Sequence, residues 1–164
     1  VHEWPLIQAT ATEDWAQSYR TVGQFMSTDL FTVRPDDLID LAASVMDWRH
    51  VRHVPVEDES GRLVGLVTHR GLLRMINSGA CARAVGQSTT VDSRLPVTVR
   101  QIMIGDPVSV TPSTSSLEAM EIMRRNRIGC LPVVEADQLV GIVTSYDFLE
   151  ASAALFKQHL GVSS

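Results

Sequence analysis

The run Thr144-Ser145-Tyr146-Asp147 places three hydroxyls and a carboxylate within four positions. A β-branched apolar stretch precedes it, so Thr144 is expected to close a strand and Asp147 to fall in the first turn of the next helix. The unpaired amides of that turn share the spot. A carboxylate so placed can accept both hydroxyls of a ribose-like diol, and Ser145 with the helix-start amides suits a phosphate. A plainer reading stands beside this one: Asp147 caps its own helix and complements the helix dipole. Arg52 offers a guanidinium matched to phosphate oxygens, or else is, with His53, a solvated strand residue. His50 and His53 have the spacing of a metal pair but no third ligand, so no metal site is expected. Cys130 reads as a small core residue rather than a nucleophile.

Enzyme chemistry finds little to hold. No GxSxG elbow, HExxH, P-loop or GxGxxG occurs, and Asp36, Asp37 and Asp40 are better explained by helix capping and a charged face. The expectation is a protein that is not an enzyme. The 164 residues carry 14 Lys+Arg against 19 Asp+Glu, a net charge of -5, which argues against binding along a nucleic-acid backbone. The two cysteines, Cys81 and Cys130, form no CxxC pair, and no apolar run approaches membrane-spanning length. A cytoplasmic protein is expected. The chain begins at Val1, which favours a piece of a larger multidomain protein.

The elements that must position these residues come from an internal repeat. Sliding the sequence by 77 positions aligns Val22 with Val99, Met26 with Met103, Pro35 with Pro112 and Pro55 with Pro132. After a one-residue deletion the offset is 76, and Leu63-Val64-Gly65-Leu66-Val67-Thr68 faces Leu139-Val140-Gly141-Ile142-Val143-Thr144. Each copy reads as a short strand (31–33; 108–110), a helix (38–48; 117–125), two strands around a turn, and a second helix (70–76; 146–155). Asp36-Asp37 and Ser113-Thr114 are the expected caps of the first helices. The fold class is therefore α/β (mixed α+β), two β-α-β-β-α units packed with pseudo-twofold symmetry. The expected divisions are an N-terminal extension 1–21, repeats 22–78 and 98–151, a linker 79–97 and a tail 152–164. Met46, Leu72, Met75, Met123 and Phe148 are expected to be divided between the core and a dimer interface.

Several linked motifs carry a family resemblance. They are Met26-Ser27-Thr28, Thr32-Val33-Arg34-Pro35, Arg52-His53-Val54-Pro55-Val56 and Gly61-Arg62 ahead of the Leu63–Thr68 run, with second-copy counterparts ending in Tyr146-Asp147. Together and in order they resemble the paired cystathionine-β-synthase (CBS) domain, or Bateman module. The resemblance implies a regulatory module that binds AMP, ADP, ATP or S-adenosylmethionine between its copies, with no obligatory cofactor, and that forms a homodimer. It also places Thr28, Leu30, Phe31, Thr32, Val51, Arg52 and His53 of one copy opposite Thr144, Ser145, Tyr146 and Asp147 of the other. Gly71 stands where Asp147 stands in the other copy, so a single ligand cleft is expected. The alternative is a constitutive dimerisation or scaffolding module with no small ligand.

Overall fold

The computed structural model describes residues 19–77 and 96–160. Each repeat is a helix, an antiparallel strand pair and a second helix. The first contains α1 (Ile39–Arg49), β1 (His53–Glu57), β2 (Leu63–Thr68) and α2 (His69–Asn77). A two-residue strand β3 (Ile104–Gly105) precedes the second, made of α3 (Ser116–Asn126), β4 (Cys130–Glu135), β5 (Gln138–Thr144) and α4 (Ser145–Leu160). The helices start and stop within about two residues of the expected positions, except that α4 continues to Leu160. Cys81 and the expected linker up to residue 95 lie outside the described residues.

Local chemistry explains the hairpins and helix ends. At the first hairpin Asp58 accepts hydrogen bonds from the Ser60 and Arg62 amides, at 2.9 and 3.0 Å, and Gly61 supplies a φ of 79°. The second hairpin turns through Ala136 and Asp137, both with positive φ, as a two-residue turn between right-twisted strands requires. His50 and Arg127 end α1 and α3 in the left-handed conformation. Ser115, rather than Ser113 or Thr114, caps α3 by accepting from the Glu118 amide at 3.1 Å. Leu38 precedes α1 without a side-chain cap, and Asp37 instead accepts from the Arg34 amide.

The expected first strands are reduced to single parallel bridges, Val33 with Val56 and Val110 with Val133. In each case the chain leaves the sheet almost at once, toward Pro35 or Pro112, which have no amide to donate.

Packing reveals an exchange between repeats. The segment around the 3₁₀ turn Val22–Gln24 leads into repeat one in sequence, yet Val22 and Phe25 are buried with Val110, Ala119, Met123, Leu131, Val133, Val143 and Phe148 of repeat two. Its counterpart Val99–Gln101 returns the favour: Val99 is buried with Val33, Ala42, Met46, Val54, Val56, Val67 and Leu72. Matching backbone bonds fix both arms. Val22 N donates to Thr114 O and Gly23 N to Pro112 O, each at 2.9 Å, while Val99 N donates to Asp37 O and Arg100 N to Pro35 O, each at 2.8 Å. The arms also serve the first amides of both helices, since Ile39 N, at the α1 start that has no side-chain cap, donates to Val97 O and Ser116 N to Arg20 O. Ser27 bridges Ile142, and β3 pairs with β2 through Ile104 and Leu66. Each sheet thus receives a piece of the other repeat, and the two cores are related by a pseudo-twofold.

Of the methionines and large apolar residues expected to be shared between core and interface, Met46, Leu72, Met123 and Phe148 are buried in the cores and Met75 is partly exposed. Exposed apolar side chains on the helices are instead Leu41, Trp48, Leu73, Leu117, Met120, Leu149 and Phe156.

Candidate functional site

The arm exchange brings the β1 end of repeat one against the β5–α4 junction of repeat two, with a cleft of about 600 Å³ between them. At its repeat-two wall Asp147 is buried, 9% exposed, and accepts from the Thr144 amide at 2.6 Å and the Thr144 hydroxyl at 2.9 Å through one oxygen. Capping and cleft-lining are therefore both true of this side chain. Burial raises its pKa, an effect the Thr144 hydrogen bonds oppose. Ser145 and Tyr146 also line the cleft; Tyr146 is exposed and its hydroxyl bonds Glu150. Gly129 lines the cleft beside Ser145.

The facing wall is basic and aromatic. Leu30, Phe31, Val51, Arg52 and His53 line it, together with Asp29 from the same 28–32 stretch and with Arg49, His50 and Pro55, which were not expected in the cleft; Ser27 enters the cleft from its bridge to Ile142. Burial, reinforced by Arg52, lowers the His53 pKa, so its imidazole is neutral at pH 7 and Arg52 supplies the positive charge. Thr28 is exposed and outside the lining. Thr32 is outside it as well, its hydroxyl donating to Glu57 at 2.8 Å.

Arg49 lies with its guanidinium carbon 4.0 Å from the Phe31 ring centre and 5.5 Å from that of Trp48, and it pairs with Asp29. The adjacent signal was present in the sequence, since Arg49 ends the helix next to a segment already assigned to the cleft. What the sequence does not show is the stacking that turns Arg49 inward.

The opposite junction is built differently. At β2–α2 the Thr68 hydroxyl accepts from the Gly71 amide at 3.0 Å, the reverse of the bonds that run from Thr144 to Asp147, and Gly71 has no side chain to accept in return. Cys130 is 2% exposed, and burial together with the nearby Asp147 pushes its thiol up to about 12, which suits packing rather than nucleophilic chemistry. Among the described residues no group of three or more His, Cys, Asp or Glu is arranged to hold a metal ion, and no helix is long and apolar enough to cross a membrane.

The family model described as CBS domain matches this chain twice, over residues 22–78 and 99–154. The chain belongs to the CBS-domain family. A CBS domain-containing protein of Dictyostelium discoideum is 32% identical over 130 residues, spanning 79% of this chain and 88% of the relative. An inosine-5'-monophosphate dehydrogenase of Methanocaldococcus jannaschii is 30% identical over 135 residues, which is 82% of this chain but only 24% of the dehydrogenase. The chain thus spans about a quarter of that enzyme. The crystal structure of CBSX2 in complex with AMP covers 83% of this chain and 98% of its own at a TM-score of 0.67 and 28% identity. The mixed α/β architecture with paired CBS repeats is common to both structures.

Proposed function

We propose that this CBS pair is a regulatory module that takes an adenosine-containing ligand, such as AMP, ADP, ATP or S-adenosylmethionine, in the cleft between its repeats. Binding favours one arrangement of the repeats and so biases an attached or associated effector. The observation that carries this reading is the opposition of Asp147 and Arg52 across a cleft of about 600 Å³, a volume within the range of small-molecule sites. An ionised carboxylate offers about four acceptor positions. Thr144 uses two through one oxygen, which leaves acceptor capacity for ribose hydroxyls. Arg52 is suited to the phosphate and Leu30, Phe31 and Val51 to the base. The AMP held by CBSX2 supports an adenine nucleotide in particular.

A thermal-shift series with AMP, ADP, ATP, S-adenosylmethionine and NADH tests the reading. Ligand at a hundred times its Kd stabilises a protein by about 2.7 kcal/mol, so at least one adenosine compound is expected to raise the melting temperature. Calorimetry is expected to give one ligand per chain, because the other junction has Gly71 in place of the carboxylate. No shift with any of them, or two equivalent sites, overturns it.

The exposed Leu73, Leu117, Leu149 and Phe156 favour a second reading, a constitutive homodimer that scaffolds its partners. Sedimentation at micromolar concentration is expected to show a dimer. If the dimer forms and no nucleotide binds, this second reading replaces the first.

A further inference from the structure

Arg49 reaches the cleft wall already engaged. Its guanidinium lies 4.0 Å from the centre of the Phe31 ring, and its Nη2 donates to the Asp29 carboxylate. Both Arg49 and Asp29 line the cleft. The Arg49 side chain is 25% exposed and that of Asp29 61%. An aromatic ring occupies the face of a guanidinium and leaves its N–H edges free for a planar anion. One of those edges is given to a carboxylate that belongs to the chain.

The same positions in the other repeat show that this is not a general device of the fold. Asp29 is matched by Asp106, but Arg49 is matched by Asn126, Phe31 by Val108 and Trp48 by Arg125. The acid is present twice. Its cation and the aromatic pair occur only on the wall facing Asp147.

From this we infer that Asp29 is an internal competitor for the phosphate of the ligand, occupying Arg49 until a phosphate displaces it, so that it sets how strongly the cleft favours charged nucleotides over neutral nucleosides. The inference rests on the adenosine reading given above. Its chemistry is an exchange of anions on one cation: a phosphate reaching Arg49 releases Asp29, and while both remain near each other their like charges repel. Exposed ion pairs are worth at most about 1 kcal/mol, so removing the competitor changes affinity by a factor of about two to five.

The test compares AMP with adenosine by calorimetry on the full chain, in the parent protein, Asp29→Asn and Asp106→Asn. Asparagine keeps the shape of each side chain, and both variants lose the same unit of charge. AMP is expected to bind Asp29→Asn about two to five times more tightly, with adenosine changed by less, and Asp106→Asn is expected to match the parent. Raising the salt concentration toward 1 M should shrink the Asp29→Asn gain, because the competition is screened. Equal tightening in both variants would reduce the effect to net charge and overturn the inference. So would AMP binding that Asp29→Asn leaves unchanged, or adenosine gaining as much as AMP. If the parent binds AMP, the adenosine reading stands whichever way these comparisons fall; if no protein in the set binds either compound, both fail together.

Discussion

Replacing Asp147 by alanine removes the acceptor for the Thr144 amide and hydroxyl as well as the charge facing the cleft. Leaving buried polar groups unpaired costs about 1 to 3 kcal/mol, so denaturant melts should show a weakened but folded protein. Two charge-assisted bonds to a ribose are worth very roughly 2 to 4 kcal/mol together, a loss of about 30- to 1000-fold in affinity. Asp147→Asn separates the two effects, since the amide oxygen can still accept from Thr144 while the charge is gone. Unchanged AMP affinity in a folded Asp147→Ala protein would assign recognition to the base and phosphate contacts instead. His53 gives a pH signature. Its folded pKa lies below the ordinary 6.5, so the unfolded chain takes up the proton first. Its contribution to stability is complete above about 6.5 and is lost as pH falls from there toward the folded value. Urea midpoints measured against pH should decline over that interval, and less so in His53→Gln. Asp147 has the opposite sign: its raised folded pKa makes its contribution fullest below 3.8 and progressively lost as pH rises through the folded value. Cys130 should resist a thiol reagent until the chain unfolds, which a Cys81→Ser variant can report without interference from the other cysteine.

Among the elements, the arms are held by contacts that tolerate no extra atom. A Cβ at Gly65 would meet the Met103 sulfur at 2.7 Å, and one at Gly141 would press on the Met26 sulfur, with Ser27 O at 3.2 Å. Gly141→Ala is expected to cost about 1 to 3 kcal/mol by overpacking. Combining it with Met26→Ala should recover part of that cost, giving non-additive melts; strict additivity would deny the contact. The helices and hairpins were legible in the sequence because they answer to local rules: the Leu63–Thr68 and Leu139–Thr144 runs, the turn residues, the apolar spacing of α1 and α3. The arms were not. Thr21 with Gln24 and Thr98 with Gln101 make local capping boxes, but nothing local says which core Val22 or Val99 will enter. The cleft followed the same division. Thr144 and Asp147 belong to one strand-to-helix junction and could be seen together, whereas the Arg49–Asp29 pair joins residues whose sequence separation hides their meeting. Thr32 illustrates the converse, a residue in the right segment whose hydroxyl is drawn away by Glu57.

For the whole molecule, each core contains a residue supplied by the other repeat, so neither can come apart while the other stays intact. Calorimetry should show one transition, with the van't Hoff and calorimetric enthalpies in agreement. Val99→Ala removes part of a fully buried side chain, worth about 1.5 to 3 kcal/mol. It should move the entire transition down by about 3 to 12 °C; a melt that splits in two would show the repeats to be independent. The exchange also has a consequence for how such a molecule is assembled. A gene encoding a single repeat would yield a chain with a socket it cannot fill and a projecting piece it cannot use. Two such chains satisfy one another only as a closed, symmetric pair, which makes the tandem chain the covalent form of a twofold dimer. Once both halves are written on one chain, symmetry is no longer imposed on their surfaces. One half can keep an acid where the other has Gly71, and one can carry Arg49 where the other has Asn126.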